Sequence, residues 1–435
     1  MAAHIGQLIT DIDDAMMTSY LKELQVTTVD YRYFEEEMKR RRQVKPSGKT
    51  FRLFFNDSGS GGMGHVAYNA ALPKARQATT AYLDDDIADF YGRLRVYGKD
   101  IDATATDEMA VVRAVDLEMR SFAENYGNEE ERKAFGDGGA TPITICSACT
   151  DAAPCVVTVA STKYLVKGMP ITFLTSGDGS ITNGDDQVIE AITSDTTFTF
   201  TATDSSQVEI TSTTRTTLAG AIANNSRLYH YGGYGVEWEG CTSLIGSTTN
   251  TIGTLNRATT GNEFYHPVVM RVKSAEDGIE SGASASQKYA WAISDLRKII
   301  QRNIVAKNGA RKNNLQLFTT DNVLDYYMQL WENKGGYHEQ SAKVDAWPYQ
   351  QAAFSGIPIL AGYACKENCM FIVDMSQMIE FRMREGDWDT WDSGHKWHKL
   401  ESYDAYEAMF VERKQYGVKQ PKKCGVLWDM KGLDD

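Results

Sequence analysis

The densest run of functional side chains is Asp387-Trp388-Asp389-Thr390-Trp391-Asp392-Ser393-Gly394-His395-Lys396-Trp397-His398. Its carboxylates and two histidines could ligate a metal or exchange protons with a substrate. The His395-x-x-His398 spacing lacks the glutamate of H-E-x-x-H and sits in no helical pattern. Three tryptophans in ten residues fit a packed or interfacial loop better, because aromatics anchor contacts. Cys146-Ser147-Ala148-Cys149, with Cys155 nearby, has the form of half a zinc ribbon. A structural zinc takes four ligands. The fourth would be Cys241 or a His, since no second C-x-x-C exists. A local disulfide in an oxidised particle is a second reading. Small unpaired residues on a β module is the third, and we adopt it. Cys365 and Cys369 flank a turn and are read the same way.

Gly59-Ser60-Gly61-Gly62-Met63-Gly64 satisfies G-x-G-x-x-G after a strand-like run. A dinucleotide site also needs a helix at the third glycine and a βαβ unit. The following HVAYNAALPKARQ is broken by Pro73, so a hairpin tip is the better reading. Lys39 to Arg42 could bind an anion. However, Glu35, Glu36 and Glu37 precede Lys39, Arg40 and Arg41 by four residues, the favourable order for helical ion pairs, so a self-paired helix face is preferred. No G-x-S-x-G elbow and no Walker A occur. The residues thus call for no catalytic site, no cofactor and no metal.

The elements that position these residues follow from periodicity. The chain has 435 residues, room for about three domains or one elaborated fold. Its net charge of −13 disfavours a surface that grips nucleic acid throughout. No run reaches membrane-helix length, and the N-terminus has no secretory pattern. Seven scattered cysteines argue for a reducing cytosol over a disulfide framework. KTFRLFF and FYGRLRVYGKDI read as strands. Val112, Val115, Met119, Phe122 and Tyr126 recur at steps of three and four and predict a long helix from about 107. Between about 141 and 215 charge thins out and short Thr- and Val-rich alternating runs predict a small all-β insertion. Residues 216–286 read as strand and loop. A second helix follows, with Ala292, Leu296, Ile299, Ile300, Asn303 and Ile304 inward. Next come a strand, a helix capped near Thr320, and a strand series from IPILAGY to CGVLWDM. The class is therefore α+β without regular βαβ alternation.

This order resembles the major capsid protein of tailed bacteriophages, the Hong Kong 97 fold. TIGTLNRATTGNEFYHPVVM (251–270), ARKNNLQLFTTDNVLDYYMQL (310–330) and FSGIPILAGYACKENCMFIVDMSQMIEFRMREGDW (354–388) carry the resemblance. The C-terminal YDAYEAMFVERKQYGV is also similar. The resemblance implies an N-terminal arm at 1–48 and an extended E-loop at 49–90 that reaches a neighbour. It implies P-domain strand and spine helix at 91–140, a β-rich insertion domain at 141–215, and connecting P-domain strands at 216–286. The A-domain would be 287–400, and P-domain strands would return at 401–435. It implies no fused scaffold, because arm and E-loop use up the residues before the spine helix.

The expected function is a subunit that self-assembles into hexamers and pentamers of an icosahedral head around double-stranded DNA. Assembly would occur in the host bacterial cytoplasm, with portal, scaffold or decoration proteins as partners. An acidic wall would let DNA slide with only weak non-specific contact. Expected interface residues are Gly59, Gly61, Gly62, Gly64, Glu35, Glu36, Lys39, Arg40, Arg41, Trp388, Trp391 and Trp397. The alternative is a secreted carbohydrate-active enzyme or adhesin, drawn from the Thr-rich module and the Asp/Trp/His run. A glycosidase would need two carboxylates converging in one cleft.

Overall fold

The computed structural model describes residues 33–40, 43–46, 48–56, 65–66, 74, 77–97, 119, 122–123, 125–204, 208–223, 225–272, 279–280, 288–332, 352–390, 397–400 and 404–433. They divide into two compact units, 136–238 and the remainder.

In the larger unit, the 14-residue strand Ala405–Val418 organises one sheet. Met378–Trp388 and Ala88–Tyr97 pair antiparallel to it, the short Trp397–Lys399 adds to it, and Gln43–Val44 joins Met378–Trp388 in parallel. Alternation sends Phe90, Leu94, Ala408 and Phe410 to one face, where Met119, Phe122 and Tyr126 of the first long helix pack on them. Those three are the described part of the apolar stripe; Val112 and Val115 lie outside the described residues.

A seven-stranded mixed sheet runs in the order Ile279–Glu280, Val268–Val272, Gly425–Trp428, Met370–Asp374, Leu315–Thr319, Ile357–Ala361, Ala353–Phe354. Its core takes Leu296, Ile299, Ile300 and Ile304 from the second helix and Val323 and Tyr327 from the third. The second helix departs from simple α periodicity: Ile293–Arg297 is α-helical and Lys298–Lys307 widens to a π-helix. Asn303 supplies a local cause, since its Nδ2 donates to Lys298 O at 3.2 Å, five residues back. Ala292, expected on the inner face, is instead the N-cap; its N–H donates to the Asp295 carboxylate at 2.9 Å.

Thr50–Asn56 and Thr80–Asp86 form a two-stranded ribbon in full register from Thr50↔Asp86 to Asn56↔Thr80. The expected glycine-rich tip, Gly59 to Gly64, lies outside the described residues. The ribbon's base is gripped by the turn between Thr251–Ile252 and Leu255–Asn256. Thr254 N donates to Asp84 O at 2.8 Å and Asp84 N to Thr254 Oγ1 at 3.0 Å. Gly253 makes this approach possible: its φ is +49°, and a Cβ there would stand 2.0 Å from Asp84 O.

The smaller unit is a closed six-stranded barrel built from Thr144–Cys149, Cys155–Val159, Pro170–Leu174, Gln187–Ser194, Thr197–Phe200 and Arg227–His230. Its interior holds Val157, Ile171, Phe173, Phe198, Phe200 and Leu228. The composition shift at 141–215 falls inside this unit, which runs on because the closing strand comes only after a helix. That helix, Ser212–Ile222, occupies a stretch the alternating pattern reads as strand and loop. Leu218, Ala219 and Ile222 turn inward from it, and this tertiary burial outweighs the poor helix propensity of its threonines.

Candidate functional site

Among the described residues no His, Cys, Asp or Glu group could hold a metal ion, Cys146, Cys149 and Cys155 included. All seven cysteines are free thiols. The Asp/Trp/His run is not gathered into a cleft as far as it is described. Trp388 is 5% exposed and packs on Phe122 and Phe410, so the expectation that it is a surface anchor is corrected: it fills the core under the helix. Trp397 is half-buried beside it. Asp387 accepts from Trp388 N, and Asp389 is held by Arg384 at 2.7 Å. His398 lies on the short edge strand, opposite Glu407. Trp391, Asp392 and His395 lie outside the described residues.

The arm helix Tyr33–Arg40 has two different faces. Arg40 is exposed and pairs with Glu36 and Glu37 at 3.4 Å each, as the spacing implies. Lys39 is exposed, and Arg41 is outside the described residues. The other face is locked into its own chain. Phe34 is fully buried among Phe135, Phe318 and Tyr416. Glu35, expected at a subunit interface, is also fully buried, so that expectation is corrected. It accepts from Lys414 Nζ at 3.2 Å.

Lys414 is the hub of a buried charge network. It also bonds Glu130 on the first helix and lies 3.5 Å from Glu412 two residues away on its own strand. Tyr126 donates to Glu412. Glu380 and Arg382 on the neighbouring strand add a second ion pair, with Arg382 Nε donating at 2.7 Å. Glu35, Glu130, Glu412 and Glu380 thus face two cations. Burial, then the charge of Glu35, raises the pKa of Glu380, as the negative surplus requires. Burial opposes a charge on Lys414, but Glu35, Glu412, Tyr126 and Glu380 outweigh it and raise its pKa. The motifs and spacings of the sequence do not single out Lys414. The available signal was FVERK, where Glu412 and Lys414 continue the helix-facing parity of Ala408 and Phe410.

The ribbon too has one anchored and one free face. Phe51 stacks on Phe381 with centroids 3.8 Å apart, and Leu83 is fully buried. On the other face Phe54 is 73% and Tyr82 54% exposed. Beside this cross-strand pair lies Arg52, 4.6 Å from the Tyr82 ring centre and held by Asp84, its own cross-strand partner, with two bonds of 2.5 Å. Among the described residues, the strands of the ribbon that carries this aromatic–arginine patch pair only with each other. Such a surface is a liability in a monomer and a natural docking face in a lattice.

At the ribbon's base Asp85 is largely buried beside Glu239. Burial first, then the charge of Glu239, pushes Asp85 up to about 7, against the bond it accepts from Asp86 N. The folded state therefore binds the proton more tightly than the unfolded chain does. Stability from this group is complete below the unfolded value and falls as pH rises toward 7. The full swing is ~4 kcal/mol at 1.36 kcal/mol per pKa unit. Asp85→Asn is expected to flatten this slope and to raise the urea midpoint at pH 8 while leaving it nearly unchanged at pH 4. Paired urea titrations at the two pH values would read this directly.

A short helix near the N-terminus, a two-stranded ribbon, a helix packed on a five-stranded sheet and a second, seven-stranded mixed sheet together define the fold, which is that of phage capsid subunits. It matches the cyanophage A-1(L) capsid asymmetric unit with a TM-score of 0.54 over 92% of this chain and 93% of that one, at 11% identity. It is also similar to the capsid of the native GTA particle (TM-score 0.45, 10% identity, 90% and 89% covered). A third similar structure is the satellite phage P4 procapsid with its size determination protein (0.40, 10%, 95% and 91%). No family model matches the chain, and no curated protein does. Among the described residues no helix is long and apolar enough to cross a membrane.

Proposed function

We propose that this chain is the structural subunit of an icosahedral phage head, forming hexamers and pentamers around double-stranded DNA. The observation that carries this is the match in fold to a capsid asymmetric unit along nearly the whole of both chains. On this reading 1–48 is the arm, 49–90 the E-loop, and the barrel an inserted surface domain. The remaining sheets are the P- and A-domains. Partners are other copies of the chain, and portal, scaffold or decoration proteins. DNA meets an acidic wall only weakly and non-specifically, and assembly takes place in the bacterial cytoplasm. Among the described residues of the Asp/Trp/His run, nothing favours the enzyme or adhesin alternative.

The exposed patch on the ribbon is where this reading is most easily tested. Phe54→Ser with Tyr82→Ser removes apolar area that only a neighbour would cover. Burying such a ring is worth about 1.5–3 kcal/mol per copy, multiplied around a ring of subunits. The double variant is expected to remain a folded monomer in sedimentation velocity while the unaltered chain sediments as large particles. Equal assembly by both proteins would remove the ribbon from the interface.

A further inference from the structure

Three turns meet at one end of the seven-stranded sheet, where Met370–Asp374 ends and its antiparallel neighbours Leu315–Thr319 and Gly425–Trp428 begin. Main-chain bonds tie them together. Asn308, just past the second helix, donates from Nδ2 to Lys422 O at 2.6 Å in the short turn Pro421–Lys423. Met375 N donates to Asn314 O at 3.0 Å, and Lys419 N to Gln377 O at 2.9 Å. Lys307, Arg311, Lys312, Lys419, Lys422 and Lys423 are thereby gathered on one surface. Lys307, Arg311, Lys312 and Lys422 are exposed; Lys419 and Lys423 are half-buried. Among the described residues none of the six forms an ion pair. Arginines elsewhere do: Arg52 with Asp84, Arg227 with Asp178, Arg271 with Asp429 and Arg384 with Asp389. Two acids lie close, and both are engaged. Asp374 is buried and accepts from Ser376 N and Oγ. Glu263, on the turn Glu263–Tyr265 that packs against Pro421–Lys423, accepts from Gly261 N. Six unpaired cations thus share one surface of a chain whose net charge is −13.

We propose that these turns form a contact face for the phosphate backbone of double-stranded DNA, a reading that rests on the capsid function for the presence of that DNA. The face is the local exception on a surface that otherwise repels a polyanion. Its chemistry selects a phosphate chain over a protein partner. Five of the six cations are lysines, which are depleted at protein interfaces but serve phosphates well as point charges on long stems. Among the described residues no large apolar side chain is exposed in 297–315, 374–378 or 419–424. A protein partner would therefore find no apolar anchor to bury. Lysine contacts of this kind go to the backbone and carry no sequence information.

The full chain, carrying Phe54→Ser and Tyr82→Ser so that no closed shell hides the face, is titrated into a fluorescein-labelled duplex of about 20 base pairs. Anisotropy reads binding between about 50 and 200 mM salt. The logarithm of the binding constant should fall against that of salt with a slope of about −5, at ~0.9 per phosphate contact. Lys307→Gln, Arg311→Gln, Lys312→Gln and Lys422→Gln together alter only exposed side chains. They should bring the slope to about −2 and weaken binding roughly a hundredfold at the lowest salt. Removing four charges elsewhere, with Lys45→Gln, Lys49→Gln, Lys163→Gln and Lys167→Gln, should change little. Equal losses in the two variants, or no salt-dependent binding, would overturn the proposal. Polyglutamate displacing the duplex as readily as unlabelled duplex does would assign the face to acidic protein segments and overturn it too. Sedimentation of the chain without these substitutions reads the capsid function separately. Shells without charge-dependent duplex binding would sink this inference alone, and duplex binding without shells would sink the capsid reading alone.

Discussion

Replacing Lys414 with alanine is expected to destabilise the folded chain by about 3–5 kcal/mol, the usual cost of leaving buried charge uncompensated. Glu35, Glu130 and Glu412 would then face one another without the ammonium that separates them. Because the network ties the arm helix, the first long helix and the central strand together, the loss is not local. The chemical denaturation midpoint should fall sharply, or the soluble yield should collapse. Lys414→Met keeps the stem's packing and should be nearly as damaging, which separates charge from volume. Adding Glu35→Gln and Glu130→Gln to Lys414→Met should recover a good part of the loss, since it removes the orphaned charges. A midpoint unchanged by Lys414→Ala would mean the network is ornamental.

The second large effect is expected at Arg257. Its guanidinium is fully buried and donates to Ser243 O at 3.0 Å, Ser247 O at 2.9 Å, Leu244 O at 2.6 Å and Asn250 Oδ1 at 3.1 Å. The three backbone carbonyls belong to the last turn of the short helix Cys241–Gly246 and to its C-cap Ser247, where the helix runs out of N–H groups to satisfy them; Asn250 Nδ2 shares Ser243 O. The guanidinium also lies 4.9 Å from the Tyr265 ring centre. Burial lowers its pKa to about 10, which still leaves it charged at neutral pH. Arg257→Ala strands several buried acceptors and is expected to cost about 3–5 kcal/mol. Arg257→Lys keeps the charge but not the planar fork, and should recover less than half. Thermal unfolding of the three proteins would rank them.

The contrast between these two residues shows what sequence can carry. Arg257 lies in TLNRATTG, a stretch the resemblance singled out, although its role as a carbonyl clamp needs the fold around it. Lys414 lies beside Glu412 in a strand legible from alternation, yet its other partners, Glu35 and Glu130, come from far along the chain, and no local pattern brings them to it. The ribbon and the strand series were legible because period-two alternation directly reflects one buried and one exposed face. The helix Ser212–Ile222 was not, since its threonines favour strands and its burial is decided by the barrel. Trp388 and Glu35 mislead for a related reason. Tryptophan and charge are both common at interfaces, and only tertiary packing shows that these two side chains are consumed within their own chain.

Electron microscopy of the purified chain, produced with and without its neighbouring gene products, tests the central claim most directly. Closed shells, or rings of five and six subunits, are the expected result. Monomers or small dimers under every condition would contradict it.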